Sequence, residues 1–391
     1  LATPSFGWAF CFAYCSASCA GCESGHTAAC LRIGIIESGV VMRGFRSIVV
    51  TCSVLSVAFA AASAYAEGEP VDGFPRWEER VLLEWSNRAR CDPQVEMTEC
   101  GSACADAACY TPVAPLSWSH ELNRAARFHA DEMVEQGYFA HDSRCTVVSD
   151  IDDLYPDSCD GSASCACVGG VEACSPTCTS AGARVGLFGS SYHGEVIATG
   201  SDPDSVFYRW LYESTTDARC MFTTRNGHRW LILTAPSAVG FGVSGHSVGD
   251  FGPGPAPGRV PSGAHYPRQA SVVELWANWY AAAGPLEAWV NVEGDCTPLS
   301  LERGSATNGA WTATVGGVGS GCHRYYFEFL DSTGEPVRYP TNGSFAVAAA
   351  GACPDWASNR PPSCLVATGE IFTDDFESGY VSAWSDAVGG S

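Results

Sequence analysis

The sequence predicts a mixed α+β protein, because helical patterns come first along the chain and strand patterns follow. Three segments before residue 214 repeat apolar residues at helical spacing. The segments SAVGFGVSG and ASVVELWANWY then have the apolar, alternating character of strands. From about residue 283, only short alternating runs between turn residues follow, which predicts a second, all-β region.

The first 66 residues have the pattern of a targeting leader. Two arginines follow Met42, an apolar run comes next, and the run ends in Ala-Tyr-Ala at 64–66, which is the layout of a secretory signal peptide. We expect a signal peptide over 42–66 and interpret 1–41 as an over-extended gene-model leader. The protein is then exported, and it is either released outside the cell or retained at the outer surface.

The charge balance restricts the partners. The chain has a formal net charge of −22 at pH 7. Because a polyanion would be repelled, nucleic acid is not expected as a partner. Beyond the leader, no segment has the roughly 20 consecutive apolar residues that a membrane helix needs, so no transmembrane helix is expected. The oligomeric state is left open by the sequence.

Fifteen of the 21 cysteines follow residue 66, and in an exported chain this pattern favours disulfides. Zinc ligation by the CAC and CSPTC segments is the alternative, but no histidine stands near them at ligand spacing. The number is odd, so one thiol is left over, and the isolated Cys220 is the candidate. We expect Cys296 to pair with Cys322, whereas the pairing within the group from Cys145 to Cys178 stays open.

The first two predicted helices precede residue 137. Apolar residues spaced four apart from Trp77 predict an amphipathic helix that ends before Pro93. The second helix has Ser119 as its N-cap and Gly137 as its stop. His129 lies on the apolar face of this helix, so we expect a core histidine there and not a ligand.

A cysteine-, serine-, glycine- and aspartate-rich segment occupies 142–193. We expect this segment to bury little apolar surface and to depend on its disulfides for order. The third helix follows, with Ser201 as its cap. Its spacing places Val206, Trp210 and Glu213 on one face, so the carboxylate of Glu213 needs a partner.

The all-β region covers 283–352, and we expect a small Ig-like β-sandwich there. The tail 353–391 is polar and too short for a core of its own. It closes with DDFESGYVSAWS, which is similar to C-terminal tails of some exported bacterial proteins and to the opening of lectin-like domains. A sorting or surface-attachment segment is therefore one expectation for 353–391.

Four segments in order carry a family resemblance: NRARCDP, HADEMVEQGYFAHDS, GEVIATG and the stretch from WLYESTTDARCMFTTRNGHRWLIL to AVGFGVSG. Together they resemble the secreted CAP superfamily, which groups cysteine-rich secretory proteins, antigen 5 and plant pathogenesis-related proteins, and in particular its bacterial branch. The resemblance covers about 74–282 and assigns a CAP (SCP) domain to 67–282. It implies an α-β-α sandwich with a central antiparallel sheet.

The CAP family has a cleft lined by two histidines and two acidic residues, and each has a counterpart here. The resemblance places the first histidine at His141 and the first glutamate at Glu195, within GEVIA. It places the second acid at Glu213, within WLYE, and the second histidine at His228, within NGHRWLIL. These positions have no local ligand spacing, so the tetrad rests on the resemblance alone.

Three residues depart from the family pattern. Ala140 replaces the usual serine before the histidine, Val196 replaces the asparagine after the glutamate, and Trp230 replaces a commoner small residue. The long disulfide-rich segment between the first histidine and the first glutamate is also atypical. Its length is sufficient to narrow or cover the cleft.

The tetrad has two interpretations. Imidazoles at His141 and His228 suit a zinc ion, with the carboxylates of Glu195 and Glu213 orienting the rings or a bound water. Alternatively, the four form an ion-pair and hydrogen-bond network that only shapes the cleft. Ser143 is not expected to be a nucleophile, because the chain has no G-x-S-x-G elbow around it.

The function expected from the resemblance is a non-catalytic extracellular binding module whose cleft accepts a lipid, sterol, peptide or cell-wall ligand. One alternative is a zinc-dependent hydrolase, in which His141 and His228 hold the metal and Glu195 or Glu213 acts as the general base. Two protein nitrogens are fewer than the three ligands usual for catalytic zinc. The other alternative is a structural or adhesive exoprotein. The sequence favours a non-catalytic protein over an enzyme, but it does not decide between them.

Overall fold

The computed structural model describes residues 75–170, 178–234 and 237–365. The expected leader, the expected signal peptide and positions 366–391 of the tail lie outside these ranges. Helices and antiparallel sheets occur together in the described ranges, so the α+β prediction is confirmed. Nowhere in these ranges is a helix both long and apolar enough to cross a bilayer.

The described helices are α1 (Trp77–Cys91), α2 (Pro93–Glu96), α3 (His120–Glu135), α4 (Ile151–Leu154), α5 (Ala163–Ala166), α6 (Ala181–Leu187), α7 (Pro203–Leu211) and α8 (Gly227–Thr234), with 3-10 turns at Thr98–Ala103 and Ala107–Cys109. The described strands are β1 (Ser117–Trp118), β2 (Gly194–Thr199), β3 (Ala238–Val243), β4 (His246–Gly252), β5 (Gly263–Tyr266), β6 (Val272–Tyr280), β7 (Glu287–Val292), β8 (Asp295–Pro298), β9 (Ser300–Ser305), β10 (Asn308–Gly316), β11 (His323–Leu330), β12 (Pro336–Tyr339), β13 (Ser344–Val347) and β14 (Trp356–Ala357). The three helices expected from the sequence correspond to α1, α3 and α7.

The helix ends agree with the sequence in part. Ser119 caps α3 as predicted, because its Oγ accepts from the backbone N–H three residues further on at 3.3 Å. The cap of α7 is Asp202 and not the expected Ser201, since the Asp202 carboxylate accepts from the third N–H after it at 2.9 Å. α7 ends at Leu211, so the prediction that Glu213 lies on a helical face is wrong.

One sheet of the N-terminal part has the strand order β1-β3-β4-β2. β2 and β3 are each antiparallel to β4, and β1 runs parallel to β3. Side chains alternate between the two faces. Ile197 and Val248 pack with α3, whereas Val196 and Phe251 pack with α1, α7 and α8. Helices therefore cover both faces of this sheet, and β2 forms one of its edges.

Helix α3 lies directly on β3 because two glycines of that strand allow the close approach. A Cβ at Gly240 would lie 1.9 Å from the backbone nitrogen of Asn123. A Cβ at Gly242 would lie 2.2 Å from the backbone nitrogen of Arg127. The two glycines thus set the height of α3 above the sheet.

Two antiparallel sheets pack face to face in the C-terminal part. One has the order β5-β6-β10-β9, and the other has the order β14-β13-β11-β7-β8 with β12 beside β11. Leu275 and Trp279 of β6 share a core with Phe327 and Phe329 of β11. β6 precedes residue 283 and pairs along its length with β10. The Ig-like assignment of this region stays a prediction.

Helix α1 lies between the sheet of β1 to β4 and the C-terminal sheet that contains β5, β6 and β10. Its side chains pack in one core with residues of β3 and with Ala264, Trp276 and Ala310 of the C-terminal sheets. The amphipathic pattern of α1 predicts burial of one face only. In the structure, however, the helix is buried on nearly all sides. Its polar side chains find internal partners, as where Glu84 accepts from the side-chain amide of Asn278 at 2.7 Å.

The segment 142–193 buries more apolar surface than the sequence predicts. Ile151, Tyr155 and Phe188 form a core cluster with Phe128 of α3. The expectation of little apolar burial is therefore wrong for the described part of this segment. Its order depends on apolar packing as well as on disulfides.

The cysteine pairs correct two expectations. Cys220 is disulfide-bonded, so its prediction as the leftover thiol is wrong, and the free cysteine of the described residues is the buried Cys91. The expected pair of Cys296 and Cys322 is also wrong, because each bonds to a cysteine beyond residue 352. The disulfides shown are Cys100–Cys104, Cys109–Cys220, Cys145–Cys167, Cys159–Cys165, Cys296–Cys364 and Cys322–Cys353.

Candidate functional site

A cleft of about 640 Å³ opens beside the first residues of the edge strand β2. Residues of β2, of α8 and of the loops around residues 141, 192, 213 and 222 line it. All four residues of the sequence-predicted tetrad, His141, Glu195, Glu213 and His228, line this cleft. Their role as a catalytic or metal-binding set stays a prediction.

The first half of the site is a row of three side chains. Nδ1 of His141 lies 2.7 Å from Oε1 of Glu195. The second oxygen of Glu195 accepts from the guanidinium of Arg184, and both of these side chains are fully buried. Arg184 also donates to the backbone carbonyl of His141 at 3.1 Å. One arginine thus fixes both the backbone of the histidine and the acid that orients its ring.

Glu195 is held as an anion. Burial alone would raise its pKa, but the Arg184 guanidinium, followed by His141, holds the pKa below its ordinary value. An ionised carboxylate only accepts hydrogen bonds, so Nδ1 of a neutral His141 carries the proton. The His141 side chain is 50% exposed, which leaves its Nε2 edge open to the cleft.

The second half of the site is built at the start of α8. Nδ1 of His228 lies 2.9 Å from Oε1 of Glu213. The backbone N–H of His228 donates to Oε2 of the same carboxylate at 2.8 Å. Glu213 therefore caps the positive end of α8 and orients the ring of His228 at the same time. Within the described part of the chain, Nε2 of neither tetrad histidine has a hydrogen-bond partner.

The remaining wall of the cleft is largely apolar. Phe222 is 59% exposed and Tyr192 is 40% exposed, which leaves two large aromatic rings open to a ligand. Trp230 and Leu231 of α8 complete this wall. The disulfide of Cys220 holds the loop that carries Phe222.

Sequence reasoning missed two buried residues of the site. Arg184 lies on α6, in a segment whose composition suggests only a loop, so no motif marks it. Asp250 lies on β4 directly opposite Glu195 in the antiparallel register. The available signal was a carboxylate within the otherwise apolar and small-residue strand HSVGDFG.

Ser143 and His129 belong to the interior behind the cleft. Ser143 is fully buried, donates to the carboxylate of Glu132 at 2.8 Å and accepts from Arg184 at 3.0 Å. A buried hydroxyl with these partners is not placed as a nucleophile. His129 has Nδ1 3.3 Å from Glu132 and Nε2 2.8 Å from the carbonyl of Ala140, which confirms the predicted core histidine.

One group of three possible metal ligands occurs in the described ranges with its ligand atoms all within 4.8 Å of one another: Glu132, Cys145 and Cys167. The two sulfurs form a disulfide, so neither is a thiolate ligand unless the bond is reduced. The tetrad does not form such a group among the described residues. Zinc at His141 and His228 therefore stays a prediction.

Comparisons with known proteins leave the family unassigned. No family model matches the chain, and a search of curated proteins finds no match. The sequence motifs and the geometry of the cleft are therefore the basis for any functional proposal.

Proposed function

We propose that this protein is an exported CAP-type binding module whose cleft binds an amphipathic ligand such as a lipid or a sterol. The sheet of β1 to β4, in which every pair except β1–β3 is antiparallel, has helices against both faces and supports an α-β-α sandwich. The tetrad gives further support, because four residues from separate motifs line one cleft.

The observation that carries the binding role is the division of the cleft into an apolar wall and two imidazole edges. A ligand can bury its apolar part against Phe222, Trp230 and Leu231. Its polar group then meets Nε2 of His141 and His228, which have no competing partner among the described residues. Pockets with an apolar lining and a few placed polar groups are typical of small-molecule sites.

A catalytic role has weaker support from the carboxylates. Glu195 is bonded to Arg184 and His141, and Glu213 is bonded to the ring and the backbone of His228. A general base needs a carboxylate that can reach and take the proton of a bound water. Both acids of the tetrad are instead used to orient histidines.

A zinc-dependent hydrolase is the second candidate, because each histidine has its Nδ1 on a carboxylate. Carboxylate–histidine pairs of this kind orient metal-ligating imidazoles in zinc proteins. The cleft supplies Nε2 of His141 and of His228, and zinc would act as a Lewis acid there when bound. Among the described residues, these two nitrogens do not belong to a group of three ligand atoms that all lie within 4.8 Å of one another. The adhesive alternative depends on the closing segment DDFESGYVSAWS, which lies outside the described residues.

The test is equilibrium binding of tritiated palmitate and of tritiated cholesterol, each alone, to the oxidised protein from residue 67 onwards. We expect saturable binding of at least one probe. Phe222→Ser should weaken it at least tenfold, or about 1.4 kcal/mol, because the ring covers the apolar part of the ligand. Phe139→Ser is the matched control, since Phe139 is 44% exposed on another surface. The proposal would be contradicted if neither probe binds saturably. It would also be contradicted if Phe222→Ser and Phe139→Ser weaken probe binding equally.

A further inference from the structure

Asp250 is a buried acid that lacks a hydrogen-bond donor. Its side chain is fully buried in β4. Among the described residues, neither of its carboxyl oxygens has a hydrogen-bond partner. Burying an ionised carboxylate without a donor is very unfavourable, so the charge state of Asp250 needs an explanation.

The nearest acid is Glu195, directly across the sheet. Strand alternation puts Glu195 on the same face as Ile197, and Asp250 on the same face as Val248. Ile197 and Val248 both pack on the α3 side, so the two acids share that face. Directly opposite residues have Cβ atoms roughly 5 Å apart, which brings their carboxyl groups within reach of each other. Two ionised carboxylates would only repel, whereas one shared proton gives a strong O–H···O⁻ bond.

The charges around the pair favour one proton. Arg184 is the buried cation, and its hydrogen bonds go to Glu195, to the carbonyl of His141 and to Ser143. One guanidinium balances one carboxylate, and a second anion would be uncompensated. Burial, followed by the charge of Glu195, raises the pKa of Asp250 well above its usual range.

Among the described residues, Arg184 is the cation whose charge acts on Asp250 itself. Tyr192 and His129 are further titratable groups near the pair. Burial, followed by Glu195 and Asp250, raises the pKa of the Tyr192 phenol. His129 of α3 acts on Glu195, and a charge on its ring favours the ionised form of that acid. Glu132 of α3 acts on Arg184 and adds negative charge to the surroundings. The β3 residue opposite Asp250 is Gly240, which has no side chain.

We propose that Asp250 is a positioning residue of the cleft: a neutral carboxylic acid that donates its proton to Glu195, so that Glu195 stays anionic and holds Nδ1 of His141. The proton belongs to Asp250 because Arg184 and His141 contact Glu195 and favour its ionised form. Nε2 of His141 is then kept toward the cleft. This last consequence rests on the proposed function, whereas the protonation of Asp250 does not.

The first test is a carboxyl ¹³C NMR titration of the ligand-free, oxidised protein labelled at aspartate and glutamate. The resonance that disappears in Asp250→Asn is that of Asp250. We expect this resonance to keep the chemical shift of a protonated acid at neutral pH. A resonance that ionises with an ordinary aspartate midpoint would overturn the proposal, and Asp250 would then share Arg184 with Glu195 as a second anion.

The second test compares two variants through the ¹⁵N signals of the His141 ring. Asp250→Asn keeps an N–H donor, whereas Asp250→Leu has a similar size and no donor. We expect the Asn variant to keep the wild-type Nδ1–H tautomer of His141 and the Leu variant to lose it. Unchanged signals of the buried His129 show that the fold is intact. The same tautomer in both variants, or its loss in both, would contradict a role as donor.

If Asp250→Leu does not fold, the pH dependence of the free energy of unfolding tests whether Asp250 is protonated in the folded protein. Wild type must keep a proton on Asp250 that the unfolded chain releases, so it loses stability as pH rises above the ordinary aspartate pKa. The advantage of Asp250→Asn in free energy of unfolding should therefore grow from acid to neutral pH. A difference that does not change with pH overturns the proposal. These three readouts need no ligand, so they can succeed or fail independently of palmitate and cholesterol binding.

Discussion

Nδ1 of His228 lies 2.9 Å from Oε1 of Glu213, while the backbone N–H of His228 donates to the second oxygen of the same carboxylate. One acid therefore both caps α8 and fixes the ring of a cleft histidine. His141 is held in a related way, since Arg184 bonds both its carbonyl and its partner Glu195. In each half of the site, one side chain contacts the histidine backbone and also helps to orient the ring. Glu213 does so directly for His228, and Arg184 does so through Glu195 for His141.

Glu213→Ala should weaken ligand binding and reduce the free energy of unfolding by about 1 kcal/mol, the usual cost of losing a helix cap. Binding falls because the ring of His228 is no longer fixed. Asp202→Ala is the matched control, because Asp202 caps α7 and does not line the cleft. Urea unfolding and palmitate or cholesterol binding measure the two effects. If Asp202→Ala lowers the affinity as much as Glu213→Ala does, the effect is one of stability only.

Arg184→Met should reduce the free energy of unfolding by about 3 to 5 kcal/mol, because it leaves the buried Glu195 without its cation. Arg219→Met is the control. Arg219 is exposed and pairs with Asp217 at the surface, so its removal should leave stability unchanged. Chemical denaturation at neutral pH gives the comparison. Equal effects in the two variants would show that the Arg184–Glu195 pair does not matter to the fold.

Glu84→Gln should stabilise the protein at pH values above 7. Burial is the main cause that raises the pKa of Glu84 to about 7 in the folded protein. The folded state then keeps a proton that the unfolded chain releases near pH 4.5, so wild type loses stability as pH rises between these values. The shift corresponds to roughly 3 kcal/mol.

The gain is the difference in free energy of unfolding between Glu84→Gln and wild type, measured from pH 4.5 to above pH 7. Gln keeps an oxygen that can accept from Asn278. Glu335→Gln, at an exposed position, should show no such pH-dependent gain. A gain for Glu84→Gln that is constant with pH would contradict the raised pKa.

Replacing Cys109 and Cys220 together by Ala should weaken ligand binding, because this disulfide holds the loop that carries Phe222. A constrained loop loses less entropy when the ligand binds. The double replacement of Cys322 and Cys353 removes a disulfide of the all-β region and should leave affinity unchanged. Palmitate or cholesterol binding to both double variants provides the measurement. Equal affinities in the two variants would exclude a role for the Cys109–Cys220 bond in the cleft.

Local patterns predicted the elements better than they predicted contacts. Periodicity identified α1 and α3, because the apolar stripes of these helices pack on the sheet. The same reasoning extended α7 to Glu213, although the helix ends at Leu211 and its acid instead caps α8. Helix termini depend on the tertiary partners of a few groups, which periodicity does not contain.

The tetrad came from motifs, whereas the residues that support it did not. Arg184 and Asp250 act through neighbours that are close only in the folded chain. The pairing of Cys220 likewise depends on a contact 111 residues away in sequence. Long-range contacts of this kind have no signature in a single sequence, so they emerge only with the fold.

The most direct test of the central claim is a ¹⁵N histidine NMR titration of the oxidised protein with whichever of palmitate and cholesterol binds. The claim is that His141 and His228 present Nε2 to a ligand in the cleft. It predicts saturable shifts at Nε2 of both residues and no shift at the buried His129, which serves as an internal control. Saturable binding that leaves the Nε2 signals of both His141 and His228 unshifted would contradict the claim. So would saturable binding that shifts the His129 signals as much as those of the cleft histidines.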